Sequence, residues 1–211
     1  MLPNVAGTRR ASSLARERRV VPGLPELDRV LPLGGLVAGS LVDLHADEGS
    51  GALWLALRVA GHQQRSFGVR SRRSVVLVDA TGDFYPPAAQ RAGVDLERLV
   101  VLRSKATSSS KVRTSWVVAC VDEALRSRAV AAVVAPVRKL DGPESHRLRI
   151  AAEKGGGLGL LVRPPSERSA VSAAAVRLVV RSTGEEKEER ALEVEPLRVR
   201  GGIALGTWRV S

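Results

Sequence analysis

Cysteine is nearly absent from this chain. Cys120 is the only one, which excludes an internal disulfide and suits a reducing cytoplasm. Set in an apolar helical stretch, its thiol reads as a small buried hydrophobe. Aromatic residues make up only 3% of the sequence and methionine occurs once, so any core has to be assembled from Leu, Val and Ala. The three histidines, His45, His62 and His146, are scattered without metal-ligand spacing, and none is given a role. No apolar run approaches the length that crosses a bilayer, and no apolar segment follows the basic N-terminus to make a secretion signal. The expectation is a cytoplasmic protein with no membrane contact.

Acidic residues are outnumbered, 22 against 33 Lys and Arg, for a net charge of +11. That excess favours approach to nucleic acid or to an acidic protein surface. The bias is carried by 28 Arg against 5 Lys, alongside abundant Ala, Val and Gly, so it reads equally well as the usage of a GC-rich genome. At 211 residues and 44% hydrophobic content, the chain suits one α/β domain with a real core. Residues 1–19 form a basic arm carrying Arg9, Arg10, Arg16, Arg18 and Arg19, and residues 20–211 read as a single core domain. The arm either grips DNA or a neighbouring subunit, or is a solvated terminus.

What the chain does have is a strand, a Gly-rich turn and an apolar helix between Leu41 and Gly61, LVDLHADEGSGALWLALRVAG. A working phosphate loop reads G-x-x-x-x-G-K-[ST]: backbone N–H groups wrap the phosphates, the Lys neutralises charge and the hydroxyl holds magnesium. Here the register runs Ala46, Asp47, Glu48, Gly49, Ser50, Gly51, Ala52, Leu53. Ala52 stands where the Lys would be and Leu53 where the hydroxyl would be, while Asp47 and Glu48 add negative charge. Each lost charge-assisted contact is worth about 1.5–3 kcal/mol, so nucleotide affinity should fall by orders of magnitude. The loop alone reads equally as a phosphate loop without its chemistry or as a plain strand-to-helix turn.

Around it, apolar runs alternate with helical patterns. Strands are expected at Ser40 to Leu44, Ser74 to Ala80, Leu99 to Arg103, Ala129 to Ala135 and Gly157 to Val162. Helices are expected at Pro25 to Leu31, Gly51 to about Gln64, from Pro86 to Gly93, Thr114 to Ser127 and Pro143 to Gly155. Ser104 to Lys111 reads as a flexible loop. The C-terminal stretches VRLVVRS, ALEVEPLRV and ALGTWRV read as three short antiparallel strands, with EEKEER at a solvated hairpin tip. The alternation predicts a mostly parallel sheet covered on both faces.

In order and spacing, these segments resemble the core of the RecA recombinase family over about residues 20–210. LVDATGDFYPPAAQRAGVDLERLVVLR is similar to that family's Asp-Ala-Glu strand, Pro-bearing helix, Gly-Val-Asp turn and next strand. GLPELDRVLPLGGLVAGSLVDL resembles its approach to the phosphate loop. The resemblance implies an α/β, RecA-like fold: a mostly parallel sheet, helices on both faces, antiparallel strands at the C-terminal end. It also implies that the chemistry is lost. The family's metal-supporting acid aligns with Ala135, its catalytic Glu with Thr81, and its nucleotide-sensing Gln with Pro164, leaving Asp79 and Asp83 as carboxylates without a phosphate cradle. The family's DNA-binding loop looks shortened to PPSERSAVSAA, which nominates Arg163 and Arg168, with the arm arginines, as DNA or partner contacts.

The LP-x-GGL turn, the AAEKGGGLGLLVRP segment and the final RVRGG resemble ImuA, a group with a RecA-like core. That resemblance implies a non-enzymatic accessory factor, without cofactor or metal, in SOS-induced mutagenesis and translesion synthesis. It would act beside the Y-family-like protein ImuB and an error-prone DNA polymerase, in contact with RecA and with DNA. A division inhibitor resembling SulA, a residual ATP-dependent recombinase-like enzyme and a basic nucleic-acid-binding domain are the competing readings.

Overall fold

Strands that are apolar at every position need cover on both faces. The computed structural model describes residues 20–21, 24–29, 31–66, 73–104, 110–183, 191–202 and 206–210. Its strands are β1 (Val20–Val21), β2 (Leu36–Val37), β3 (Leu41–His45), β4 (Ser74–Asp79), β5 (Leu99–Arg103), β6 (Val130–Pro136), β7 (Leu158–Arg163), β8 (Val176–Ser182), β9 (Leu192–Val199) and β10 (Trp208–Val210). Its helices are α1 (Pro25–Asp28), α2 (Ala52–Ser66), α3 (Pro86–Arg91), α4 (Ser110–Arg126) and α5 (Gly142–Gly155). β1 and β2 pair in a small antiparallel ladder, and the other eight strands form one sheet in the order β10-β9-β8-β3-β7-β6-β4-β5. β3 to β8 pair in parallel, while β9 and β10 pair antiparallel. The fold is the α/β, RecA-like arrangement that the resemblance implied.

The two cores follow from the period of two along each strand. In β4, Val75 and Leu77 enter the core that also holds Leu55 and Val59 of α2, while Val76 and Val78 enter the core built on α4 and α5. β3 divides likewise, with Val42 and Leu44 on the α2 side and Leu41 on the α4–α5 side. α5 is closed at both ends by local chemistry. Asp141 and Glu144 make a reciprocal capping box at its start, and Gly156 takes the left-handed conformation after its last turn.

Several expectations are corrected here. α1 stops at Asp28 rather than Leu31, although Leu31 N–H still donates to the Leu27 carbonyl at 3.2 Å; Leu24, Leu27 and Leu31 are all buried. α4 starts at Ser110 rather than Thr114, so Ser110 and Lys111 belong to the helix; a run of Ser and Thr offers several equivalent starting points. β8 pairs in parallel with β3 before turning back into β9, so only the last two pairings are antiparallel. Cys120 is half-buried rather than buried: the inward stripe of α4 runs through Val117, Val121 and Leu125, leaving Cys120 on its flank, where desolvation raises its pKa. The arm, most of the Ser-rich loop and the charged hairpin tip lie outside the described residues. No helix among the described residues is long and apolar enough to cross a membrane.

The helix pair α4–α5 depends on Gly155, where an added Cβ would sit 1.9 Å from the carbonyl oxygen of Leu125. Gly34 is different: φ is +69° and no atom lies within 4 Å of its missing Cβ. Gly155→Ala is expected to cost about 3 kcal/mol in urea unfolding, the upper end for overpacking. Gly34→Ala is expected to cost about 1–2 kcal/mol, the backbone cost alone.

Candidate functional site

The Gly-rich loop leaves the carboxyl end of β3, where open parallel sheets generally bind ligands. β3 is buried throughout, and Ala46 extends its ladder by donating its N–H to the Arg163 carbonyl at 2.9 Å. Asp47, Glu48 and Gly49 then emerge into solvent, and Ser50 N–H closes the turn on the Asp47 carbonyl at 3.2 Å. Gly49 and Gly51 have φ of +81° and +89°, a region that favours glycine. The strand, Gly-rich turn and helix expected from the sequence are therefore present.

Its side chains do not fit a magnesium nucleotide. Ala52, in the Lys position, is 3% exposed with its methyl in the core, and Leu53, in the hydroxyl position, is 40% exposed. Leu192 of β9 packs so closely on Gly51 that a Cβ there would be 2.6 Å from its Cδ2. Glu48 accepts a hydrogen bond from Arg138 Nη2 at 2.9 Å, an exposed pair worth about 1 kcal/mol or less. Ala135 is fully buried in β6, and Thr81 is exposed in the turn after β4.

Asp79 is occupied by its own turn. Its Oδ1 accepts from Gly82 N–H at 2.8 Å, and its Oδ2 accepts from Arg103 Nε at 2.9 Å and from Phe84 N–H at 3.4 Å. At 5% exposure it shapes residues 80–84 and ties β4 to the edge strand β5. Asp83 is exposed. Trp54 is half-buried against the core, with Arg58 stacked 4.8 Å from its ring centre.

Behind the loop lies a cluster that sequence reasoning missed. Asp43 is fully buried in β3. Its Oδ2 accepts from Ser172 Oγ at 2.7 Å and from Arg163 Nη1 at 3.2 Å, and Arg177 Nε lies 3.4 Å away, close enough to pair but not aligned for a hydrogen bond. Arg163 Nη2 also donates to Glu167 Oε2 at 2.9 Å. Arg177 Nη2 donates to the carbonyls of Glu167 and Arg168 at 3.2 and 3.0 Å. The segment after β7 is thus fastened to the sheet by two arginines. The signal for this was an Asp inside the apolar run LVDLH facing an Arg inside VRLVV; Asp43 and Arg177 are direct neighbours in the β3–β8 register.

The expectation that Arg163 is a DNA or partner contact is corrected. It lies in β7 on the side of Leu161, is 1% exposed, and serves as the counter-ion of Asp43. Arg168 is half-buried, with its Nε buried and without a partner. The five arm arginines lie outside the described residues.

His45 closes the cluster. It is fully buried, with Nε2 3.1 Å from Arg177 Nη2 and Nδ1 3.5 Å from the Pro164 carbonyl. A guanidinium only donates, so Nε2 must accept and the proton sits on Nδ1. Desolvation lowers the His45 pKa below its ordinary 6.5, against the pull of Asp43. The unfolded chain therefore binds more protons than the native one below about pH 6.5, and stability should decline as the pH falls from there toward the lower native value. Urea unfolding across this range is expected to show the decline, and His45→Gln is expected to flatten it. Asp43→Ala, which leaves two buried guanidinium groups without their shared carboxylate, is expected to cost about 3–5 kcal/mol in the same assay.

Fold and site together define a RecA-like α/β core with a Gly-rich turn between β3 and α2 at the carboxyl end of the sheet. No family model matches the sequence. The chain is 31% identical to Protein RecA of Chlorobium limicola over 123 residues, 58% of this chain and 32% of that protein. It is 36% identical to Protein RecA of Bifidobacterium breve over 83 residues, 39% of this chain and 20% of that protein. To Protein RecA of Clostridium beijerinckii it is 32% identical over 79 residues, 37% of this chain and 20% of that protein. The matches thus span between 20% and 32% of the length of these relatives.

Proposed function

We propose that this chain is a pseudo-ATPase, a non-enzymatic RecA-like accessory factor of damage-induced translesion DNA synthesis that acts through its surfaces. The observation that carries the reading is the loop itself: a buried methyl at Ala52 and an exposed isobutyl group at Leu53 replace the groups that neutralise phosphate and hold magnesium. The engagement of Asp79 by Gly82, Phe84 and Arg103 supports it, because a carboxylate so held is not poised to activate water. The partners in this reading are an ImuB-like Y-family protein, an error-prone DNA polymerase, RecA and DNA. The likeness to RecA proteins, and the resemblance of the LP-x-GGL, AAEKGGGLGLLVRP and RVRGG segments to ImuA, support that choice.

The purified chain is expected to show neither ATP turnover above background nor a thermal shift with ATP and magnesium. Saturable turnover would overturn the pseudo-ATPase reading. Affinity capture from DNA-damaged cells is expected to recover the Y-family-like partner or RecA. Recovery of the division tubulin in their place would favour the SulA-like alternative and sink the translesion assignment.

A further inference from the structure

The cluster behind the Gly-rich loop balances its charge only while His45 is neutral. The charged groups around the imidazole are Asp43 beside it on β3, Arg163 on β7 and Arg177 on β8, with Glu167 bound to Arg163 from the segment after β7. Two carboxylates therefore meet two guanidinium groups. A proton on His45 leaves one positive charge in excess, inside an enclosure where neither Asp43 nor His45 has any exposed surface. An uncompensated buried charge is strongly unfavourable, so either the proton leaves or water must enter.

The contacts of the ring point the same way. Nε2 lies 3.1 Å from Arg177 Nη2, which can only donate, so a second ring proton sets N–H against N–H. The same Nε2 lies 3.9 Å from Asp43 Oδ2, the oxygen beside which Arg177 Nε also sits. Protonation turns His45 from the acceptor of Arg177 into its competitor for Asp43.

What can yield is the segment after β7. Residues 164–171 are all half-buried or exposed, and their regular structure is one short helical turn at Pro165–Glu167. The cluster itself holds them: Arg163 takes the Glu167 carboxylate, Arg177 takes the carbonyls of Glu167 and Arg168, and Asp43 takes the Ser172 hydroxyl. Two ties lie outside it, Arg198 Nη1 to the Ser172 carbonyl at 3.4 Å and Ala173 N–H to Ser145 Oγ at 2.9 Å, both at the far end of the segment. β3 and β7, by contrast, are laddered to neighbours on both sides.

We propose that His45 is a proton-operated latch: neutral, it keeps residues 165–172 seated on the sheet, and its protonation weakens that hold so that they lift and water reaches the cluster. Lifting takes Glu167 away from Arg163 and the two carbonyls away from Arg177, which turns a self-matched cluster into a basic surface beside the Gly-rich loop. The direction follows from burial, which holds the His45 pKa below its ordinary 6.5 while the segment is seated; the lifted state takes up the proton more readily. The inference is independent of the fate of the nucleotide site.

The test is hydrogen exchange of the full chain, read by mass spectrometry, corrected for the intrinsic effect of pH and repeated in urea well below the unfolding transition. Protection of residues 165–172 is expected to fall as the pH drops below about 6.5, by up to about tenfold per pH unit, the limit for one proton taken up on opening. That exchange should be independent of urea, the mark of a local opening, whereas β6 should stay better protected and respond to urea. His45→Gln, which keeps a neutral acceptor near Arg177, should abolish the pH dependence of the segment. If that variant fails to fold, the imidazole of the unaltered chain is titrated by NMR, and protection should level off at the pH where the ring has become charged.

The proposal is overturned if protection of the segment does not change with pH, if the segment exchanges only in step with β6 and with the same response to urea, or if His45→Gln shows the same fall. A fall that continues below the pH at which the ring is charged also sinks it, since that result assigns the switch to a carboxylate.

Discussion

A carboxylate with no exposed surface must find cations or lose its charge, and Asp43 finds two. Arg163 reaches it from β7 on one side of β3, and Arg177 reaches it from β8 on the other. The same two arginines hold Glu167 and the carbonyl of Arg168, so one buried charge fastens three strands and the segment that follows β7. His45 is neutral because it shares this enclosure, and the Gly-rich loop begins at the residue after it. The position of the loop thus rests on an ionic cluster sealed from water. Such a cluster holds geometry more than it adds stability, because the desolvation of each ion offsets much of the attraction.

That arrangement colours the whole carboxyl end of the sheet. In a phosphate-binding fold this end is where charged groups wait for a ligand. Here three of the acidic side chains are matched to cations: Asp43 with Arg163 and Arg177, Asp79 with Arg103, and Glu48 with Arg138. The segment after β7 is pinned by its arginines rather than presented as a basic loop.

Much of the scaffold was legible because local rules and burial agree. Ser74–Asp79 and Val130–Pro136 are apolar at consecutive positions because both faces are covered, and they could hardly be anything else. Leu99–Arg103 matches its expected limits, and α5 runs over Gly142–Gly155, one residue longer at its start than the expected Pro143 to Gly155. That Ala52 and Leu53 offer neither a charge nor a hydroxyl is also plain along the chain, since folding cannot add a side-chain group.

What spacing could not reveal was which polar residues turn inward. Arg163 looked like the first residue of a basic loop and is instead a buried counter-ion, because the β7 ladder runs through it and directs it to the face of Leu161. Asp43 and Arg177 are single charges and His45 an imidazole without metal-ligand spacing, in strands separated by more than a hundred residues, so nothing local marks their meeting. Cys120 reads as core from its apolar neighbours and lies on the flank of its helix. Apolar periodicity is a property of neighbouring residues and can be read along the chain; the pairing of buried charges belongs to strands that meet only when the sheet is assembled.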